Sequence, residues 1–443
     1  MSNHKFIGYP YYWGLINDVY RNFLNDTKEA NTKCKISLKS LINLVFIELS
    51  WLLFSSFTNI INLTSTLIKR KPAVVVWTGD YYTRENAGDF RLGNFYKDCK
   101  KENLFVIDFI NKSESIFKRF SNFYFRKRTV IYYNAIQFYI YSIILLFRKT
   151  KIKPFETQLD FFRIDCTISR LYLKMVNAKV LIAWEFSKRQ CGLIGAAKSL
   201  NIPVVGTMHG AGMRTYMVHE FIKQPKGEIK VGPDIMGVWS DFWLDYYLKN
   251  SNCYSKLEVC CYQRAPSIVK RKKPRGSTFK ILWISEPLAI LDELYPYFKI
   301  INENFDLSIK IRPNIICSFY NSLTSLYPQT TDLHTETGSM EESVIDYDLV
   351  VGSHSTAVIE SSLYNIPFLL VETNKWGNYF DLNKEERSVF FVEDCAVLNE
   401  RIKYIQSNDV SIKLNEFKCK FFGSNNISRQ NWLTMKSIEI LNN

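Results

Sequence analysis

The stretch Asp346–Val371 constrains the fold of this 443-residue chain more than any other. An acidic run leads into an apolar strand, Leu349 to Val351, of the kind buried on both faces. A turn of small and polar residues follows, Gly352-Ser353-His354-Ser355-Thr356. The spacing predicts a helix from about Ala357, and Ile366-Pro367 introduces a second apolar strand, Phe368 to Val371. Strand, turn, helix and strand in this order form the crossover unit of a parallel sheet. The turn sets three hydroxyls, an imidazole and free backbone amides at a helix start, which suits an anion such as phosphate. Glu360 lies one helical turn further in, within reach of a ribose hydroxyl. Ser and Thr are also ordinary helix caps, so the turn alone is equally compatible with a structural role.

The same alternation recurs on both sides of this stretch. Before it, strands are predicted at Ala73–Trp77, Leu104–Ile110, Lys179–Trp184, Ile202–Met208 and Ile235–Trp239. Helical patterns precede Lys71 and run over Ser113–Lys149, Phe161–Val176 and Ser187–Leu200. A basic, Pro- and Gly-punctuated segment over 266–277 then reads as a linker. A second series of strands follows at Phe279–Ser285, Leu307–Arg312, Leu349–Val351, Phe368–Val371 and Val389–Val392. A chain of this length exceeds one ordinary core, and alternating strands and helices imply parallel sheets covered on both faces. The expected architecture is α/β: two Rossmann-like doubly wound domains facing across a cleft, with extra N-terminal helices. The expected divisions are 1–265, the linker 266–277, 278–425, and a C-terminal helix within 426–443 that packs back on the first domain.

Composition narrows the partners. Hydrophobic residues at 47% and charged residues at 23% describe a folded globular protein, and a formal net charge of +14 favours anionic partners. No helix-turn-helix, zinc-finger or ribonucleoprotein pattern supports nucleic acid. The ten Cys are scattered without Cys-x-x-Cys or Cys/His ligand spacing, which argues against structural zinc and a disulfide framework. Reduced thiols and the absence of a secretory pattern at Met1–Phe6 fit a cytoplasmic protein. Two apolar stretches, 41–68 and 136–147, fit either core helices or interfacial helices with basic rims; the second is shorter than the roughly 20 residues a bilayer span takes.

Ligands of doubly wound sheets bind at the carboxyl ends of strands, and polar residues gather there in both halves. The first half offers Asp80 with Arg84, Glu85 and Arg91, then Glu185, then His209 followed by Gly210-Ala211-Gly212. The second offers Ser285-Glu286, Arg312-Pro313-Asn314, and Gly352, Ser353, His354, Ser355 and Thr356 with Glu360.

Three segments within Val180–Val371 carry a family likeness: Ile202-Pro-Val-Val-Gly-Thr-Met-His-Gly210, Ile309-Lys-Ile-Arg312-Pro313 and Asp348–Glu360. In these the chain resembles the two-Rossmann-domain (GT-B) glycosyltransferases of bacterial surface-polysaccharide assembly. That broad group includes CDP-glycerol glycerophosphotransferases and capsule sialyl- and Kdo-transferases. The resemblance implies a nucleotide-sugar donor, a lipid-linked glycan acceptor (lipopolysaccharide O-antigen or capsule), inversion at the anomeric centre and a place on the inner face of the cytoplasmic membrane, against anionic lipid.

A leaving nucleotide phosphate needs its charge stabilised, which points to Arg312, Gly352, Ser353, His354, Ser355 and Thr356 for the donor phosphates, Glu360 for the ribose, and Glu286 for the same donor site. His209 is the first candidate for the base that activates the acceptor hydroxyl, followed by Glu185 and Asp80. Arg312 stands where the family often has His, and a guanidinium suits phosphate clamping better than proton transfer. No Asp-x-Asp motif occurs in a suitable turn, so no metal or other cofactor is expected. Transfer of a polyol phosphate from a CDP-linked donor, a non-catalytic scaffold subunit, and a UDP-N-acetylglucosamine 2-epimerase share parts of this pattern.

Overall fold

The computed structural model describes residues 5–6, 9–10, 38–79, 92–110, 129–132, 154–183, 188–208, 210–211, 230, 232–250, 253–263, 278–285, 291–311, 323, 325, 334–336, 340–374, 376–423 and 431–443. Among these, two parallel sheets organise the chain, one of seven strands and one of six. The first contains β1 (Ala73–Gly79), β2 (Phe105–Ile110), β3 (Thr129–Tyr132), β4 (Ala178–Ile182), β5 (Val204–Thr207), β6 (Ile235–Val238) and β7 (Lys256–Val259). Their order across the sheet is β3-β2-β1-β4-β5-β6-β7. The second contains β8 (Lys280–Ile284), β9 (Asp306–Lys310), β10 (His334–Glu336), β11 (Leu349–Gly352), β12 (Phe368–Val371) and β13 (Phe391–Val392), in the order β10-β9-β8-β11-β12-β13. Each sheet thus grows outward from its first strand in one direction and then reverses, the doubly wound topology, with its switch point between β1 and β4 and between β8 and β11.

The central strands explain this choice. Ala73 to Val76 are 0% exposed and Leu349 to Val351 likewise, because helices cover both faces and every residue of the run must be apolar. Register follows the sequence: Val75 lies between Ile107 and Leu181, and Leu282 between Ser308 and Val350.

The edge strands β7 and β10 were not expected from sequence, and three further elements differ in kind or extent. Helical patterning over Ser113–Lys149 gives way to the edge strand β3, where Thr129-Val-Ile-Tyr132 is β-branched and aromatic and turns three residues inward. At Val389–Val392 the helix Lys384–Phe390 runs to Phe390 and leaves a strand of only two residues. The helix after β11 (α8, below) spans Thr356–Glu360 and tightens into a 3₁₀ turn over Ser361–Tyr364.

Helices are numbered α1 (Leu38–Lys69), α2 (Phe95–Lys101), α3 (Pro154–Met175), α4 (Lys188–Ser199), α5 (Asp241–Asn250), α6 (Leu291–Asn304), α7 (Met340–Val344), α8 (Thr356–Glu360), α9 (Lys384–Phe390), α10 (Leu398–Ser407), α11 (Ser411–Phe422) and α12 (Trp432–Asn442). α12 packs on the first sheet, against β4 and β5, and on α2. Asn431 caps it by accepting from the Leu433 amide and donates to the Leu92 carbonyl, while the Asn431 amide donates to Asp98. Trp432 lies over β6 at Gly237, where a Cβ would stand 2.8 Å from the indole, so the missing side chain is what lets helix and strand approach.

The chain crosses between the sheets through aromatic packing. The end of α11 presents Phe421 and Phe422 to Trp239, Phe242 and Trp243, and Trp239 stacks on Phe422 at 5.5 Å. The Trp243 indole donates to the Phe421 carbonyl at 2.8 Å and the Tyr262 amide to the Phe422 carbonyl at 3.0 Å. Among the described residues no helix is long and apolar enough to cross a membrane.

Candidate functional site

The turn after β11 sits at the carboxyl edge of the second sheet, beside the switch point. Ser353 is buried, and its hydroxyl forms a hydrogen bond with Nδ1 of His354 at 2.9 Å. The His354 ring stacks on Trp376 at 4.4 Å and meets the edge of Tyr379 at 5.9 Å. Two ring contacts and the serine hydroxyl therefore fix the imidazole plane. Ser355 takes the extended backbone of an N-cap and accepts from the Ala357 amide at 3.3 Å.

Thr356 points toward the other domain. Its Oγ1 accepts from the Ala211 amide at 2.9 Å, and a Cβ added at Gly210 would lie 3.4 Å from the same oxygen. The glycine turn that follows β5 thus meets the hydroxyl turn that follows β11. Glu360 is 8% exposed, and its Oε1 accepts the Tyr262 hydroxyl at 2.7 Å. Tyr262 is held between Trp239 at 5.0 Å and Phe422 at 5.1 Å, within the aromatic seam. Glu360 therefore ties the end of α8 to the segment after β7.

Of the candidates from sequence, Gly352 closes β11 rather than opening the turn, and Ser353, His354, Ser355, Thr356 and Glu360 follow it in the turn and the helix it starts. Asp80, Glu185, His209, Glu286 and Arg312 lie outside the described residues. The strands that lead to them are described: β1 ends at Gly79, β4 at Ile182, β5 at Thr207, β8 at Ile284 and β9 at Lys310. Ser285, buried, continues β8 and donates its amide to the Lys310 carbonyl at 3.1 Å.

Three residues of this region were not singled out from sequence. Trp376 and Tyr379 follow β12, so the rule that ligand groups collect after strands would have found them. Tyr262 carries no local signal, since its partner is 98 residues away. Among the described residues no group of three or more His, Cys, Asp or Glu side chains is placed to hold a metal ion.

No family model matches the chain, and no curated protein matches its sequence. Solved structures do match in fold. A glycosyltransferase from Rickettsia africae superposes with a TM-score of 0.52 at 14% identity, over 84% of this chain and 99% of that one. A UDP-N-acetylglucosamine 2-epimerase from Neisseria meningitidis, bound to UDP-GlcNAc, gives 0.50 at 11% identity over 84% and 99%. MnaA of S. aureus, in a structure with UDP, gives 0.50 at 10% identity over 84% and 96%. The fold is GT-B-like. At these identities the likeness extends to architecture alone.

Proposed function

We propose that the protein is a nucleotide-sugar-dependent glycosyltransferase that extends a lipid-linked surface glycan, O-antigen or capsule, at the inner face of the cytoplasmic membrane. The observation that carries this is the meeting of the Gly210-Ala211 turn with the Ser353–Thr356 turn across the two sheets, at 2.9 Å. That contact brings a turn at a strand end of the first sheet against one of the second, and the proposal sets the polar groups of both halves around it, as transfer between two substrates requires.

In this proposal 278–425 holds the donor and 1–265 the acceptor. Arg312, Ser353, His354, Ser355 and Thr356 take the donor phosphates, and Glu360 and Glu286 the rest of the nucleotide. The acceptor hydroxyl loses its proton to His209, or failing that to Glu185 or Asp80, and its oxygen attacks the anomeric carbon. The glycosidic bond to phosphate breaks with its electron pair going to the nucleotide, which leaves as an anion, and the centre inverts. Basic side chains and amides stabilise that anion, so magnesium is not needed.

The neighbouring epimerases share the fold and need no large acceptor. A lipid-linked acceptor is favoured here by the net charge of +14 and by the basic, aromatic N-terminal third of the chain. The experiment is to supply purified protein with nucleotide sugars and a lipid-linked glycan fraction, and to follow nucleotide release and product mass. Transfer that falls strongly in His209→Ala and Arg312→Ala, with folding intact, supports the assignment. Sugar isomerisation without transfer identifies an epimerase, and wild-type turnover in Arg312→Ala removes the phosphate-clamp role. Activity abolished by EDTA and restored by magnesium contradicts metal independence.

A further inference from the structure

We infer that the outer face of α1 is a lipid-docking surface, seated on anionic membrane. Over Leu53–Lys69 the helix is amphipathic in the reverse of the usual sense. Facing the protein are Ser55, Thr58, Asn59 and Thr66, all buried, with Leu63 their one large apolar companion among the buried residues. Facing out are Leu53 at 60% exposure, Phe57 at 61%, Ile60 at 64%, Ile61 at 39%, Leu67 at 47% and Ile68 at 78%. At about 100° per residue these six fall on roughly one third of the helix circumference, a stripe in which the exposed Thr64 also lies.

The inward polarity has a structural cause. β3 is the edge of its sheet, and its open backbone groups need partners. Asn59 donates to the Tyr132 carbonyl at 2.9 Å and accepts from the Tyr132 amide at 2.7 Å, while Asn62 donates to the Val130 carbonyl at 2.6 Å. Two asparagines thus stand in for a neighbouring strand. That requirement explains Asn59 and Asn62, while Thr58 and Thr66 donate back to the Phe54 and Asn62 carbonyls of their own helix. The apolar outer side is left unexplained, since a helix exposed to water would carry polar residues there.

Charge selects the occupant. The stripe ends in Lys69-Arg70-Lys71, all exposed, on a chain of net charge +14, and no acidic residue lies between Leu53 and Lys71. A second copy docking face to face would bring two such basic ends toward one apolar seam without an acidic complement. An anionic bilayer supplies both the apolar layer and the countercharge. The inference deepens the proposed function by naming the face that meets the membrane.

The test uses the full chain and two vesicle types, phosphatidylcholine alone and phosphatidylcholine with phosphatidylglycerol. Wild type floats with the anionic vesicles. Phe57→Gln with Ile60→Gln lowers that binding about tenfold or more while the circular dichroism spectrum stays unchanged, and Arg70→Gln with Lys71→Gln weakens the dependence on phosphatidylglycerol. Phe57→Trp reports the face directly through a blue shift of emission on adding anionic vesicles.

If wild type floats and the Phe57/Ile60 variant floats equally, another surface meets the membrane and this inference fails while the membrane-side function stands. If wild type does not float, both fail. A dimer of wild type that the Phe57/Ile60 variant makes monomeric, with flotation unchanged, assigns the stripe to a second copy.

Discussion

Replacing Tyr262 by Phe removes one hydroxyl from a ring that stays packed between Trp239 and Phe422. The hydroxyl is the donor in a 2.7 Å hydrogen bond to Glu360, and both residues are about 8% exposed, so water cannot readily take its place. A hydrogen bond to a charged group contributes about 1.5–3 kcal/mol, and the buried carboxylate places the expected loss near 2 kcal/mol. Urea unfolding of wild type, Tyr262→Phe, Glu360→Gln and the double variant measures it. The two single losses should not add: a coupling of roughly 1–2 kcal/mol is expected for groups in direct contact. Because Glu360 is also the proposed ribose contact, Tyr262→Phe should weaken nucleotide binding by about threefold to tenfold, tenfold being about 1.4 kcal/mol. A Tyr262→Phe protein within about 0.3 kcal/mol of wild type, or losses that simply add, would refute the pairing as a source of stability.

Gly237→Ala should cost about 1–3 kcal/mol by urea unfolding, because its Cβ meets Trp432 at 2.8 Å and Cys260 Sγ at 2.9 Å; a neutral result would mean α12 sits less firmly on β6. Asn59→Ala should cost about 1–3 kcal/mol by removing the two hydrogen bonds that Asn59 makes to the Tyr132 backbone, and hydrogen exchange should accelerate at β3 first. Burial pushes the Cys99 thiol from 9.0 up to about 12. The folded state therefore holds this proton more tightly than the unfolded chain. That contribution is complete below about pH 9 and is lost as pH rises toward 12, and Cys99→Ala should flatten the alkaline part of the stability profile.

Much of the frame was legible before any coordinates. Buried parallel strands announce themselves as unbroken apolar runs, and Ala73–Trp77, Ile281–Ile284 and Leu349–Val351 do so. Edge strands do not: β3, β7 and β10 are short and mixed, and their pairing is decided by partners far along the chain. The hydroxyl turn at Ser353–Thr356 was readable because cap chemistry is local. Its contact with Ala211, 145 residues away, and the Tyr262–Glu360 bond were not, since side-chain pairs across a domain seam leave no periodicity. α1 shows the same limit from the other side. Its apolar content was plain, but which face turned inward depended on the open edge of β3 needing Asn59 and Asn62.

Binding of nucleoside mono- and diphosphates to the full-length protein, followed by thermal shift and calorimetry with CMP, CDP, UDP, GDP and dTDP, bears most directly on the proposed donor site. One nucleotide should stabilise wild type by about 2.7 kcal/mol when present at a hundredfold excess over its Kd, and Arg312→Ala should lose that gain. Failure of every nucleotide to bind wild type would contradict the account and leave the two sheets as a scaffold.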